Sequence, residues 1–310
     1  MIWMYWRFFS YGVLGLMISV AYSDSKTSQS SLLLRKPYPT PGPFVLFLHP
    51  HKAGGTTMCR LFKAEKKIRM GENQNCNPVM NGRIWNSIPM HHDLQSLAEL
   101  LRKQGHNFLA SEYKPLPPSF QLTSSRYTSQ PSAKLWSLVT LLRHPVDRVI
   151  SHYFFEHLRN SHSSILNWAH SAPYHSQNYY VRLLSGHFPQ GASLDPRHRW
   201  THYDISEPIP KFWTRTHGCM MMTQDDLTRA KTALSHFTMV LLLDRMEESL
   251  DLLRRVLGLE LADVKKHENH QVKQKNITSE EYNDLLALNH LDVELFAFAH
   301  TLLDAKLEVT

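Results

Sequence analysis

The stretch Phe44-Val45-Leu46-Phe47-Leu48-His49-Pro50-His51-Lys52-Ala53-Gly54-Gly55-Thr56-Thr57 decides the fold. Its first five residues are apolar without alternation, the pattern of a strand buried on both faces in a parallel sheet. A glycine pair and two threonines follow, and residues 57–68 then read as a helix. Strand, glycine turn and helix in that order open an α/β unit.

The same grammar returns twice. Residues 136–142 form an apolar run, and Pro145 suits the first turn of a helix over 146–159. Residues 237–243 form another run, followed by a helix over 246–257 with Gly258 as its stop. A helix is expected over 93–103, a further strand over 108–111, and closing helices over 279–288 and 291–303. Residues 113–134 and 187–213, rich in Pro, Ser and Thr or lacking any period, are expected to be long loops. Three strand-loop-helix units imply one α/β domain over 44–310, a central parallel sheet flanked by helices.

Composition supports a packed domain: 42% of the 310 residues are hydrophobic, and three cysteines cannot make a disulfide scaffold. Lysine and arginine outnumber the acids, giving a formal charge of +7, which calls for an anionic partner. Residues 1–22 are apolar except for Arg7 and read as a targeting segment. The uncharged run Phe8 to Tyr22 falls short of a full bilayer span unless Ile2 to Trp6 enter with it. A retained signal anchor is expected, with cleavage after a small-x-small site at Ala21-Tyr22-Ser23 as the alternative. Residues 23–43 then form a stem, and the body faces the secretory lumen. Asn276-Ile277-Thr278 is a glycosylation sequon that suits such an address. Of the cysteines, Cys76 with Cys219 is the expected pair, leaving Cys59 buried on a helix.

Two segments carry chemistry. In the first, backbone N–H groups at the start of a helix and the close approach allowed by Gly54-Gly55 make a cradle for a phosphate. Lys52 adds a full charge there, and Thr56 and Thr57 add hydroxyl donors. The lysine precedes the glycines, so this is not the G-x-x-x-x-G-K-[ST] loop of ordinary ATPases. The second segment is Leu141-Leu142-Arg143-His144-Pro145-Val146-Asp147-Arg148-Val149-Ile150-Ser151. Arg143 leaves the carboxyl end of a strand, where open α/β sheets bind ligands, and its guanidinium can fork onto a phosphate. Ser151 lies two helical turns on. Arg148 is read as pairing with Asp147 or Glu156.

Together, FLHPHKAGGTT and LRHPVDRVIS resemble the Golgi membrane-bound glycan sulfotransferases that use 3′-phosphoadenosine 5′-phosphosulfate (PAPS), most closely the heparan sulfate 6-O-sulfotransferases. The likeness continues at Met90-His91-His92-Asp93, at Asn178-Tyr179-Tyr180-Val181-Arg182-Leu183-Leu184 and at Asn289-His290-Leu291-Asp292-Val293-Glu294-Leu295. It implies the three-layer, P-loop-like sulfotransferase fold. It also implies that Lys52, Ala53, Gly54, Gly55, Thr56 and Thr57 hold the 5′-phosphosulfate, and that Arg143 and Ser151 hold the 3′-phosphate. Ala53 stands where the family usually has Thr.

By the same resemblance, Lys52 and His91 are the catalytic residues, with His91 as the base and His92 as its rival, and Asp93 orients the base or caps the next helix. His92, Gln177, Asn178 and Arg182 face the acceptor, an anionic glycan such as heparan sulfate. No metal is required. A protein tyrosine or another glycan is the alternative acceptor, and a catalytically silent PAP- or glycan-binding protein is the alternative outside the enzymes. A nucleic-acid binder would account for the charge but for neither loop. Oligomeric state is not legible.

Overall fold

The computed structural model describes residues 44–70, 76, 79–80, 83–84, 94–111, 136–155, 164–185, 221–262 and 277–309. All of them fall within one compact unit, Pro41–Thr310. The sequence readings at 1–43, His91, His92, Asp93, the loops 113–134 and 187–213, Cys219 and Asn276 lie outside the described residues.

Four strands make one parallel sheet: β1 (Phe44–Leu48), β4 (Phe108–Ser111), β5 (Trp136–Leu142) and β6 (Met239–Leu242), in the spatial order β4-β1-β5-β6. In β1 no residue is more than 3% exposed, as a strand covered on both faces requires. A separate antiparallel pair joins β2 (Val79–Met80) to β3 (Arg83–Ile84). Leu48 pairs with Thr140, so β5 runs two residues past the end of β1 and delivers Arg143 beside the loop that follows Leu48. From β1 the chain turns to β4 on one side, whereas from β5 it turns to β6 on the other. The carboxyl ends of β1 and β5 therefore flank a topological switch point, the place where open α/β sheets carry their ligand crevice.

Helix α1 (Gly55–Ala64) starts two residues before the expected Thr57 and stops four short of Ile68. It stops because Glu65 turns extended, and the Glu65 carboxylate accepts from the backbone N–H of Lys67 at 2.8 Å and from that of Glu260. Helix α2 (Leu94–Lys103) lies within its expected range, and α3 (Pro145–Phe155) starts one residue before its own, at the proline expected in its first turn. Three short helices were not expected: α4 (Ile165–Ser171), α5 (Pro173–Ser176) and α6 (Tyr179–Leu184). Nor was α7 (Gln224–Ser235), opened by a capping box between Thr223 and Asp226. Helix α8 (Met246–Leu257) ends on Gly258 at φ 61°, as expected of a glycine stop. Helix α9 (Ser279–Leu288) matches its expected range, and α10 (His290–Val309) runs six residues beyond the expected end.

The expected disulfide is corrected. Cys76 is joined to Cys59, not to Cys219, with 5.5 Å between their α-carbons. Cys59 is buried on α1, as its apolar neighbours required, and from there it reaches the segment seventeen residues on.

Candidate active site

The loop after β1 is built around small residues. Lys52 adopts φ 65° and Gly54 φ 94°, both left-handed, and the Ala53 N–H closes a turn on the Pro50 carbonyl at 3.1 Å. Ala53 is fully buried. A β-carbon on Gly54 would come within 2.9 Å of Leu243 and 3.2 Å of Leu141, so this glycine lets the loop lie directly on the ends of β5 and β6. A β-carbon on Gly55 would collide with the imidazole of His49, which is buried and stacked on Phe47 at 5.1 Å. The histidine ring thus occupies the room that a side chain at the first helical position would need. Gly54 caps α1 with no side-chain hydrogen bond, and no acid stands in the first turn. Among the described residues, this helix start therefore keeps its positive end for an anion.

The Lys52 ammonium sits 3.0 Å from the centre of the Phe155 ring, and that ring is 64% exposed at the end of α3. The charge is held beside the loop by an aromatic face. His51, the residue before it, is buried with its ring 4.8 Å from that of His152. Burial, together with the charges of His51, Arg148, His175 and Lys52, pushes His152 well below the usual imidazole range. Burial and the neighbouring Arg148 likewise lower His175 to about 4. His152 and His175 are thus held towards the neutral form, which leaves the permanent cations Lys52, Arg143 and Arg148 to supply local positive charge.

Arg143 follows directly on β5. Burial lowers its guanidinium from the ordinary value while Asp147 raises it, and it remains a cation. The Tyr180 hydroxyl accepts from the Arg143 N–H at 3.2 Å and donates to the Arg143 carbonyl at 3.0 Å. Ser151 lies on α3, partly exposed, two turns beyond Pro145. Among the described residues Arg148 makes no ion pair with Asp147, and Glu156, the other expected partner, lies outside them. Arg148 turns inward, is fully buried, donates from Nη2 to the His175 carbonyl at 2.7 Å and stacks over Tyr179 at 4.4 Å.

Of the residues expected to face an acceptor, Gln177 donates from its side chain to the Ala169 carbonyl at 3.0 Å. Asn178 and Arg182 are buried, at 7% and 5% exposure. The Asn178 side-chain oxygen accepts from the N–H groups of Leu291 and Asp292, at 3.1 and 3.2 Å, and so caps α10. In return the Asp292 carboxylate accepts from the N–H groups of Tyr180 and Val181, at 2.9 and 2.8 Å, and caps α6. Asn289 completes the joint by accepting from the Asn178 N–H at 3.0 Å. The site's elements are thus tied together through α6, with Tyr180 reaching Arg143 and Asp292 reaching Tyr180. Sequence reading noticed both blocks but not this connection, and it gave no role to Tyr180, Asp292 or Phe155.

The arrangement brings Lys52, Ala53, Gly54, Gly55, Thr56 and Thr57 to the carboxyl end of β1 and Arg143 to that of β5, on either side of the switch point. An uncapped helix start with a lysine thus lies one strand away from an arginine, two groups of the kind that can hold anions.

No curated protein matches the chain. A family model described as the sulfotransferase family matches residues 40–299, a span that contains the parallel sheet, the loop after β1 and Arg143. With most of its length covered by that match, the chain belongs to the sulfotransferase family.

Proposed function

We propose that this sulfotransferase moves a sulfuryl group from PAPS to a hydroxyl of a glycan, a glycosaminoglycan of the heparan sulfate type, in the Golgi lumen. The observation that carries the reading is the glycine turn bearing Lys52 at an uncapped helix start, set one strand away from Arg143. PAPS, when bound, supplies the sulfuryl group and a phosphate leaving group. The N–H groups at the start of α1 and the hydroxyls of Thr56 and Thr57 hold the 5′ end, and Lys52 neutralises charge that develops there. Arg143, with Ser151, holds the 3′-phosphate. His91, or its neighbour His92, takes the proton of the acceptor hydroxyl, work suited to an imidazole with a pKa near neutrality. Sulfuryl transfer shares with phosphoryl transfer a loose in-line displacement, so positioning and charge stabilisation are the protein's main tasks.

The +7 charge supports an anionic acceptor. The lumenal address rests on residues 1–22 as a signal anchor, 23–43 as a stem and Asn276 as a glycosylation site, and the Cys59–Cys76 bond suits an oxidising compartment. Among the described residues no helix is long and apolar enough to cross a membrane.

The test is transfer of labelled sulfate from PAPS to desulfated heparin, chondroitin and dermatan, beside Lys52→Ala. Label on heparin, reduced by about two or more orders of magnitude in Lys52→Ala, is the expected result. Label confined to another glycan would overturn the acceptor, and equal transfer by the variant would overturn the role of Lys52.

A further inference from the structure

We propose that Tyr180 is a positioning residue that gives this site its preference for a 3′-phosphorylated nucleotide, by fixing the backbone of Arg143 through its hydroxyl. The inference rests on the reading of Arg143 as the 3′-phosphate ligand and deepens it.

Arg143 stands just past the ladder. The last pairing of β5 joins Leu142 to Leu242, and the Leu243 N–H donates to the Leu142 carbonyl at 2.9 Å. Beyond that point the main chain must find other partners. One hydroxyl supplies both: the Tyr180 oxygen accepts from the Arg143 N–H and donates to the Arg143 carbonyl. Donation requires a protonated phenol, and burial raises Tyr180 well above its ordinary pKa. The ring is fully buried, so the hydroxyl has no freedom to swing away. Behind it, the Tyr180 N–H is held by Asp292, itself fully buried on α10.

An arginine that must meet a phosphate loses rotamer freedom on binding. Fixing both backbone polar groups of Arg143 removes the main-chain share of that loss before the ligand arrives, which is preorganisation in the ordinary sense. Both hydrogen bonds of the Tyr180 hydroxyl go to Arg143, so the effect falls on the 3′-phosphate and spares the 5′ end.

The experiment is calorimetric titration of 3′-phosphoadenosine 5′-phosphate (PAP) and adenosine 5′-monophosphate (AMP) into wild type and Tyr180→Phe. Wild type is expected to bind PAP more tightly than AMP. Tyr180→Phe, which keeps the ring, is expected to lose about tenfold for PAP, the worth of one good hydrogen bond, and less than about twofold for AMP. Unchanged PAP affinity, or an equal loss for both nucleotides, would overturn the proposal. Failure of wild type to prefer PAP would instead remove the reading of Arg143 itself, and the proposal with it. Should Tyr180→Phe not fold, hydrogen exchange of the Arg143 amide in wild type decides: protection without ligand supports the clamp, and free exchange contradicts it.

Discussion

Asn178 and Asp292 each cap the helix that carries or follows the other. The Asn178 amide oxygen receives two N–H groups at the start of α10, and the Asp292 carboxylate receives two at the start of α6. Both residues are buried, so loss of either side chain strands donors away from water. Asn178→Ala and Asp292→Ala are each expected to lower unfolding free energy by about 1–3 kcal/mol, and the double variant by less than the sum. Asn178 also sits at φ 47°, so Asn178→Gly should be milder than Asn178→Ala. Denaturant melts check this; additive losses would contradict a shared joint.

The two loop glycines fail differently. Gly55→Ala drives a β-carbon into the ring of His49, which is buried and stacked on Phe47. Gly54→Ala meets the movable end of Leu243 but must also hold φ 94°. We expect both variants to lose PAP binding, Gly55→Ala with the greater loss of thermal stability. PAP binding at wild-type affinity by either would show that the loop is not the nucleotide seat.

Lys52 must leave the Phe155 face to meet a phosphosulfate. A cation held over an exposed ring is worth about 0.5–1 kcal/mol, so Phe155→Leu should tighten PAP binding by about two- to fivefold while Phe155→Tyr leaves it unchanged. Weaker binding by Phe155→Leu would mean that the ring aims the lysine and does not hold it back.

Stability should fall on acidification from pH 7 to pH 5. His175 is lowered to about 4 and His152 lies well below its ordinary value, so their contributions are complete above about pH 6.5 and are lost as the pH falls towards the folded-state values. For His175 alone this amounts to about 2 kcal/mol at pH 5, or several degrees of melting temperature. Asp292 acts in the opposite sense. Burial raises it to about 6, against the lowering by the Tyr180 and Val181 N–H groups, so its contribution is complete below about 3.8 and is lost as pH rises through 6. Thermal melts of His175→Gln should therefore fall less steeply between pH 7 and 5 than wild type, and those of Asp292→Asn more steeply. A parallel course for all three would contradict the buried-group account.

Much of the frame was legible because it is local. The apolar runs at 44–48 and 136–142 match β1 and β5 residue for residue, and residues 108–111 match β4. The helix after β1 starts at Gly55 and not at Thr57, and the packing of Gly55 against the ring of His49, six residues before it, is not revealed by periodicity. Helix α6 is six residues long and takes its caps from Asn289 and Asp292, more than a hundred residues away, so periodicity could not find it. The same distance hid the use of Asn178. Arg143 and Lys52 were legible by their place after strands. Phe155 and Tyr180 were not, since each acts by meeting one of those two residues in space.

The most direct test of the central claim is a crystal structure of the protein with PAP bound. The account predicts the 5′-phosphate against the N–H groups at the start of α1 beside Lys52, and the 3′-phosphate against Arg143 and Ser151 across the switch point between β1 and β5. A nucleotide bound elsewhere, or one whose 3′-phosphate makes no contact with Arg143, would contradict it.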